Sequence, residues 1–392
     1  MQNEAYVLDR KTTWALAITA GTAVSNLYFN QPMLAMIQRD LPEKMTGAVP
    51  TATQVGYTLG LLFLVPLGDI VNRKKLILIQ FFFLTLSLVG AAVAPTGFAL
   101  VLASIAIGIG SSVTQQIVPL AAHLAPPAKR GAIVGMVVSG LLCGILLSRT
   151  IAGFVSLHSG WRAMFWLGVP IAFLGAVGMK IILPDQAPLS ESSYTKLLRS
   201  MGGLWSEFPE LRLAVITQGF LFASFSMFWT VLAYHLAEPH FNMGSDVAGL
   251  FGVVGAVGVL AAPLAGKFAD RNGPRPVIVM GVVLSMFSWG IFGFWNSIPG
   301  LILGVIVLDF AVQGVLVSHQ SIIFALRPEA RGRINTIFMS GMFLGGAIGS
   351  ATAIHAWGVG GWSRVVWIAA SFSGLAGLIQ AAVTLKRRSL RT

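Results

Sequence analysis

Two ionisable residues stand well inside otherwise apolar runs of this chain, Arg149 and Asp309. A charge at the centre of a lipid-spanning helix costs at least about 2.5–3.5 kcal/mol, so each is expected to have a partner or to face a water-filled cavity. Desolvation favours the neutral form of a carboxyl and a neighbouring Arg favours the charged form. An Asp309 that alternates between those environments would take up and release a proton, which makes it a coupling site. Two roles are open for Arg149: the counter-charge released when Asp309 is protonated, or the ligand of an anionic substrate. The plainer alternative is a structural ion pair.

Neutral polar residues cluster on several of the same apolar runs. Thr19, Thr22, Asn26 and Asn30 are spaced three, four and four, which puts them on one helix face. They either bond to neighbouring helices as packing glue or wall a water-filled cavity, and Tyr28 and Gln31 close by add to their polarity. Ser111, Ser112, Thr114, Gln115 and Gln116 form a cluster too dense for all of it to face lipid. Gln218, Trp229, Tyr234 and His235 lie on a third run. On a fourth, Asp309, Gln313 and Gln320 share one stripe, whereas His319 falls elsewhere. His235 and His319 rank as candidate proton carriers, although a lone His is more often a satisfied structural residue. Aromatic residues such as Phe222, Phe225 and Trp229 suit either an apolar pocket or helix packing. No motif supplies a nucleophile with its base or a metal cluster, so an enzyme is not expected. Cys143 is the single cysteine and excludes an internal disulfide.

The elements that must position these residues follow from composition. Of 392 residues, 55% are hydrophobic and 10% are charged, against about 25% charged in soluble domains. Runs of about 20 apolar residues cross roughly 30 Å of hydrocarbon as helices, and twelve are expected, near 13–38, 51–71, 76–94, 98–123, 131–157, 162–183, 211–237, 247–269, 276–296, 299–326, 333–358 and 363–385. Pro32 is expected to bend the first near its outer third. The polar Met1 to Asp9 segment has no cleavage site after it, so the first run is read as the insertion signal. The net charge of +12 is read as topology. All but five of the 26 Lys and Arg fall at the termini, in the central segment or in loops on one side, which places both ends in the cytoplasm. Nucleic acid is not an expected partner.

A shift of 201 residues aligns the chain with itself. Asp69 falls on Asp270, Pro127 to Gly131 on Pro328 to Gly332, Gly144 on Gly345, Gly160-Trp161 on Gly361-Trp362, and Trp166 on Trp367. The fold expected is therefore an all-α membrane protein of twelve transmembrane helices in two six-helix pseudo-symmetric halves, residues 1–183 and 211–392, joined by a cytoplasmic linker at 184–210. Arg149 aligns with Ser350 and Asp309 with Gly108. Neither charge belongs to the scaffold the halves share, and that asymmetry favours function.

The doubled loop resembles the signature that the major facilitator superfamily carries between helices two and three and again between eight and nine. Its second copy, Gly266-Lys267-Phe268-Ala269-Asp270-Arg271-Asn272-Gly273-Pro274-Arg275, follows the pattern closely. In the first, Val65 and Asn72 stand where Gly is usual, while Asp69, Arg73 and Lys74 match. The general look is that of bacterial drug- and sugar-efflux proton antiporters. Ser104 stands where those members place a helix-four Arg, and Ser148-Arg149 replaces the Gly-Pro pair of their helix-five motif, so Arg149 is a candidate stand-in for the missing Arg.

The resemblance implies an inner-membrane secondary transporter that works by alternating access, with cavity walls from helices one, four, seven and ten. It also implies a small-molecule substrate, no cofactor beyond a proton gradient as energy source, and a monomer in the lipid bilayer. The function expected is proton-coupled efflux of small organic compounds. The alternatives are a uniporter or importer of a sugar or organic anion and, from another class, a non-transporting receptor or scaffold. Asp309 and Arg149 are the expected coupling residues. Asn26, Tyr28, Asn30, Gln31, Gln115, Gln116, Trp229, Tyr234, His235, Gln313 and Gln320 are the expected substrate contacts, and Asp69, Arg73, Lys74, Asp270, Arg271 and Arg275 the conformational latch.

Overall fold

The computed structural model describes residues 9–126, 129–185 and 193–389, and its regular elements there are all helical. The aligned Pro127 and Ala128 lie outside the described residues. The chain divides into two compact units, Met1–Arg199 with Gly244–Gly249 and Ser200–Met243 with Leu250–Thr392.

The first six spans comprise α1 (Arg10–Ser25), α2 (Asn30–Asp40), α3 (Val49–Leu59), α4 (Arg73–Ala92), α5 (Gly97–Ser111), α6 (Thr114–Leu124), α7 (Arg130–Ser159) and α8 (Trp161–Ile182). After α9 (Tyr194–Glu207), the second six comprise α10 (Pro209–Leu236), α11 (Ser245–Gly255), α12 (Val257–Asn272), α13 (Pro274–Phe294), α14 (Ile298–Leu326) and α15 (Arg331–Ser389). Among the described residues nine helical stretches are long and apolar enough to cross a membrane. One of these, α15, is two spans, because Gly360 and Gly361 leave helical geometry inside it. The broken pairs α1–α2 and α11–α12 complete the twelve.

Polar caps start several spans. Asp9, Asn72, Thr96 and Ser297 each accept a hydrogen bond from a backbone N–H of the first turn, which satisfies a donor that the helix leaves open. The break in the first span falls at residues 26–29, one turn before Pro32 and not at Pro32 itself. Proline has no N–H for the carbonyl four residues back and its ring crowds that carbonyl, so the turn that opens is the one containing Tyr28. The linker also takes part in the packing. Its helix α9 buries Leu197, Met201 and Leu204, and Leu204 joins Leu211, Ile323, Ile334 and Phe338 in one cluster.

The internal repeat is visible in the geometry. Gly160 and Gly361 have φ of 80° and 56°, a region that glycine enters without steric cost. The tryptophan after each is buried and donates its indole N–H, Trp161 to Asp40 Oδ2 at 2.8 Å and Trp362 to the Phe292 carbonyl at 3.0 Å. Close helix contacts repeat as well. A Cβ at Gly144 would sit 2.1 Å from the Gly21 carbonyl oxygen on α1, and one at Gly345 would sit 2.2 Å from the Gly219 oxygen on α10. Only glycine lets these backbones approach so closely.

Candidate functional site

In the first unit the α1–α7 contact at Gly21 and Gly144 brings Arg149, one and a half turns further along α7, up to the break after α1. Arg149 is 3% exposed. Its Nε donates to Gln31 Oε1 at 2.9 Å, and its guanidinium carbon lies 4.6 Å from the centre of the Tyr28 ring. A cation over an aromatic face in a desolvated site is stabilised by about 2 kcal/mol or more. The opened turn therefore supplies Tyr28, and the first turn of α2 supplies Gln31, to hold the charge.

Asn26 and Asn30 flank that break. Asn26 turns its amide back onto the carbonyls of Thr22 and Ala23, and Asn30 donates to Thr53 Oγ1 at 2.8 Å. Their buried Oδ1 atoms have no hydrogen-bond partner among the described residues. Gln115 donates to the Tyr57 hydroxyl at 3.1 Å. Gln116 is engaged elsewhere: its amide donates to the carbonyls of Leu64 and Val65. Those carbonyls sit where α3 passes into a π-helical turn at Gly60–Leu64, whose widened winding disturbs the regular carbonyl ladder. Gln116 thus stabilises the backbone of the second span.

In the second unit Asp309 lies on α14 and is 5% exposed. The junction of α11 and α12 packs directly on it. A Cβ at Gly258 would be 2.7 Å from Asp309 Cβ, and one at Gly255 would be 3.3 Å from Asp309 Oδ2 and 3.2 Å from Trp229 Cζ2. Asp309 and Trp229 therefore meet at one glycine. Trp229 continues into an aromatic row with Phe225 and Phe228, at ring separations of 6.1 and 5.4 Å. Gln313 and Gln320 are half-buried along α14.

Tyr234 and His235, at the far end of α10, make a different set of contacts. The His235 ring stacks on Trp362 at 4.0 Å, its Nδ1 lies 2.8 Å from Glu238 Oε2, and its Nε2 lies 2.8 Å from Asn296 Oδ1. Tyr234 stacks on Trp357 at 6.0 Å. His319 is buried with Nδ1 3.2 Å from Gln218 Oε1.

The Major Facilitator Superfamily model matches residues 13–208 and 214–391. The chain belongs to the major facilitator superfamily. It is 38% identical over 353 residues to the uncharacterized transporter YgaY of Escherichia coli O157:H7, covering 89% of this chain and 90% of that protein. It is 30% identical over 366 residues to SCO4007 of Streptomyces coelicolor, covering 91% and 84%. The crystal structure of the nucleoside transporter NupG superposes with a TM-score of 0.76 at 15% identity, covering 95% of this chain and 98% of that one. This superfamily member is a multi-pass membrane transporter and not an enzyme.

Its two signature loops differ in build. In the first, Arg73 Nη2 meets Asp69 Oδ1 at 2.7 Å and Nε donates to the Gly68 carbonyl at 2.8 Å. Asn72 stays in extended geometry and caps α4, whereas Gly273, its repeat partner, has φ of 83°. Only the second copy requires glycine there. Lys74 is half-buried, while Arg271 and Arg275 are exposed. The Asp270 side chain lies outside the described residues.

Residues of the candidate site that carried no mark in the sequence include Thr53 and Tyr57. The only signal available for Thr53 and Tyr57 is their i,i+4 spacing on the second span. Gln80, bonded to Ser112 Oγ at 3.1 Å, was detectable as a single amide inside an apolar run.

Proposed function

We propose that this chain is a proton-coupled exporter of small organic compounds, with Asp309 as the group that gains and loses the proton and Arg149 as the fixed cation that responds to it. The observation that carries this reading is the placement of both ionisable groups. Each is at least nine-tenths buried inside a span, and each is absent from the aligned position of the other half, where Ser350 and Gly108 stand. A scaffold charge would be shared by both halves. A charge that lipid disfavours and the repeat does not require is best explained by the transport cycle.

Candidate substrate contacts in the first unit are Asn26, Tyr28, Asn30, Gln31 and Gln115. In the second they are Trp229, Gln313 and Gln320, with Tyr234 and His235 further along α10. Buried Oδ1 atoms of Asn26 and Asn30 supply acceptors for a ligand donor, and the Phe225–Phe228–Trp229 row supplies apolar area. The loop charges Asp69, Arg73, Lys74, Asp270, Arg271 and Arg275 act as a latch, with both termini in the cytoplasm of a bacterial inner membrane and the monomer as the working unit.

If one proton exchanges for one neutral substrate, a pH difference of one unit supports about tenfold accumulation, or about 1.4 kcal/mol. Substrates are first found by thermal shift, since a ligand of the folded state raises its stability. In vesicles carrying such a gradient the wild type should accumulate substrate. Asp309→Asn should lose accumulation and retain substrate exchange; accumulation by that variant equal to wild type overturns the coupling assignment. The hold of Tyr28 and Gln31 on the guanidinium favours a second reading, uptake of an organic anion bound at Arg149. Anion flux lost in Arg149→Gln and indifferent to pH selects it.

A further inference from the structure

Three helices of the second unit, α12, α13 and α14, enclose a slot of about 280 Å³ lined by apolar residues. Small buried residues such as Ala265, Gly281 and Gly314 form its floor, and the exposed Leu264, Phe268 and Met280 form its rim. The slot opens beside a tight helix contact: a Cβ at Gly281 would lie 2.3 Å from Val315 Cγ2 and 3.0 Å from the Ala311 carbonyl oxygen. An open apolar slot on a membrane span is stabilised by an apolar occupant.

Charge stands at one end of this slot. Lys267 and Arg271 are exposed and follow Leu264 by three and seven residues on α12, a spacing that puts them on the same helix face as the rim residues Leu264 and Phe268. Both lie towards the 272–276 loop, where the helix ends, and their long side chains can reach a phosphate at the membrane surface. The internal repeat shows that the scaffold requires none of this. Gly281 aligns with Gln80, a buried amide bonded to Ser112 Oγ at 3.1 Å, and Gly314 aligns with the fully buried Val113. Lys267 and Arg271 align with Pro66 and Ile70. The first unit therefore has larger side chains where the slot has glycines, and it lacks both cations. Slot and charge occur together in the second unit.

We propose that the slot holds one acyl chain of an anionic glycerophospholipid from the leaflet nearest the 272–276 loop, with the lipid phosphate on Lys267 and Arg271. Basic groups beside a cleft between spans are suited to anionic headgroups. The lipid is a resident ligand and not the transported substrate, and its site does not depend on Arg149, Asp309 or proton coupling.

The test uses a tryptophan reporter and lipids with brominated acyl chains, which quench indole fluorescence on contact. The full chain carrying Leu264→Trp is reconstituted in phosphatidylcholine vesicles with a minor fraction of brominated phosphatidylglycerol or brominated phosphatidylcholine, and the quenching of the unsubstituted chain is subtracted. Phe63→Trp, at the aligned and equally lipid-accessible position of the first unit, is the control. Quenching at Leu264→Trp should report a preference for phosphatidylglycerol of roughly 25-fold, about fivefold for each cation. Lys267→Gln and Arg271→Gln should each lower the preference about fivefold, and together they should remove it. A Cβ at Gly314 meets only ordinary contacts, 3.5 Å from Ala265 Cβ and 3.9 Å from Val277 Cγ1, so Gly314→Val fills slot space with both charges in place and should also remove the preference. Equal quenching by the two lipids at Leu264→Trp overturns the proposal. An equal preference at Phe63→Trp overturns it too, since charge would then draw the lipid to the whole surface. So does a preference that survives the double charge variant or Gly314→Val. Thermal melts of each variant establish that a lost effect is not lost folding, and the charge variants, at exposed positions, decide the matter if Gly314→Val does not fold.

Discussion

Gly144→Ala should destabilise the first unit by about 1–3 kcal/mol relative to Gly135→Ala on the same helix. The Gly144 Cβ would meet the Gly21 carbonyl oxygen at 2.1 Å and its carbonyl carbon and Cα at 2.5 Å, whereas nothing lies within 4 Å of a Cβ at Gly135. The obstructing atoms are backbone and cannot rotate away, so α1 and α7 must part by roughly 1 Å to restore ordinary contact. Both substitutions replace glycine by alanine inside a helix, a gain of up to about 1 kcal/mol. That gain cancels in the difference, which isolates the helix contact. At roughly 2–4 °C per kcal/mol for a unit of this size, the melting temperatures should differ by roughly 2–12 °C in a detergent thermal melt followed by tryptophan fluorescence. The displacement should also carry Arg149 away from Gln31 and Tyr28, so transport falls with stability. Gly345→Ala should act likewise in the second unit through Gly219. Equal melting temperatures for Gly144→Ala and Gly135→Ala would refute packing through the glycines.

Gly258→Ala crowds Asp309 Cβ at 2.7 Å while Gly266→Ala meets nothing within 4 Å. The first should lower both the melting temperature and the transport rate, at a cost of about 1–3 kcal/mol, and the second should leave transport unchanged. Ser373 Oγ lies 2.9 Å from Ser224 Oγ and 2.8 Å from Ser285 Oγ, so Ser373→Ala should cost about 1–3 kcal/mol by thermal melt, since buried hydroxyls lose a partner. Outside the membrane, the Asp9 carboxylate is held below its ordinary pKa by hydrogen bonds from Thr12. Its folded form binds the proton less readily than its unfolded form, so the cap is fully present above the unfolded pKa and is lost as pH falls through the folded one. Protection of the first-turn amides of α1, taken relative to the intrinsic exchange rate at each pH, should fall over that acidic window in the wild type, and Asp9→Asn should remove that fall.

The spans and the repeat were legible because they are written in periodicities that a single helix enforces. Apolar length sets a span, and Gly160 and Gly361 occupy the same bend for the same steric reason. The breaks were less legible. Pro32 announces a bend, but the carbonyl it cannot serve belongs to Tyr28, so the opening falls a turn earlier. The π-helical turn at Gly60–Leu64 has no residue that demands it, and the two carbonyls on the second span to which Gln116, an expected substrate contact, donates are invisible in one dimension. The same limit applies to the candidate site. Arg149 and Asp309 stood out by cost alone, yet Arg149 donates to Gln31, 118 residues away, and His319 meets Gln218 across 101 residues. Helical spacing orders the residues of one face and carries no information about which face another helix presents.

The central claim, that Asp309 carries the transported proton, is tested most directly by recording lumenal pH in vesicles with an entrapped dye while substrate moves down its own gradient. The wild type should show a pH change that begins with substrate addition and scales with flux. Asp309→Asn should move substrate with no pH change. A pH change in Asp309→Asn equal to that of the wild type, at equal substrate flux, would contradict the account.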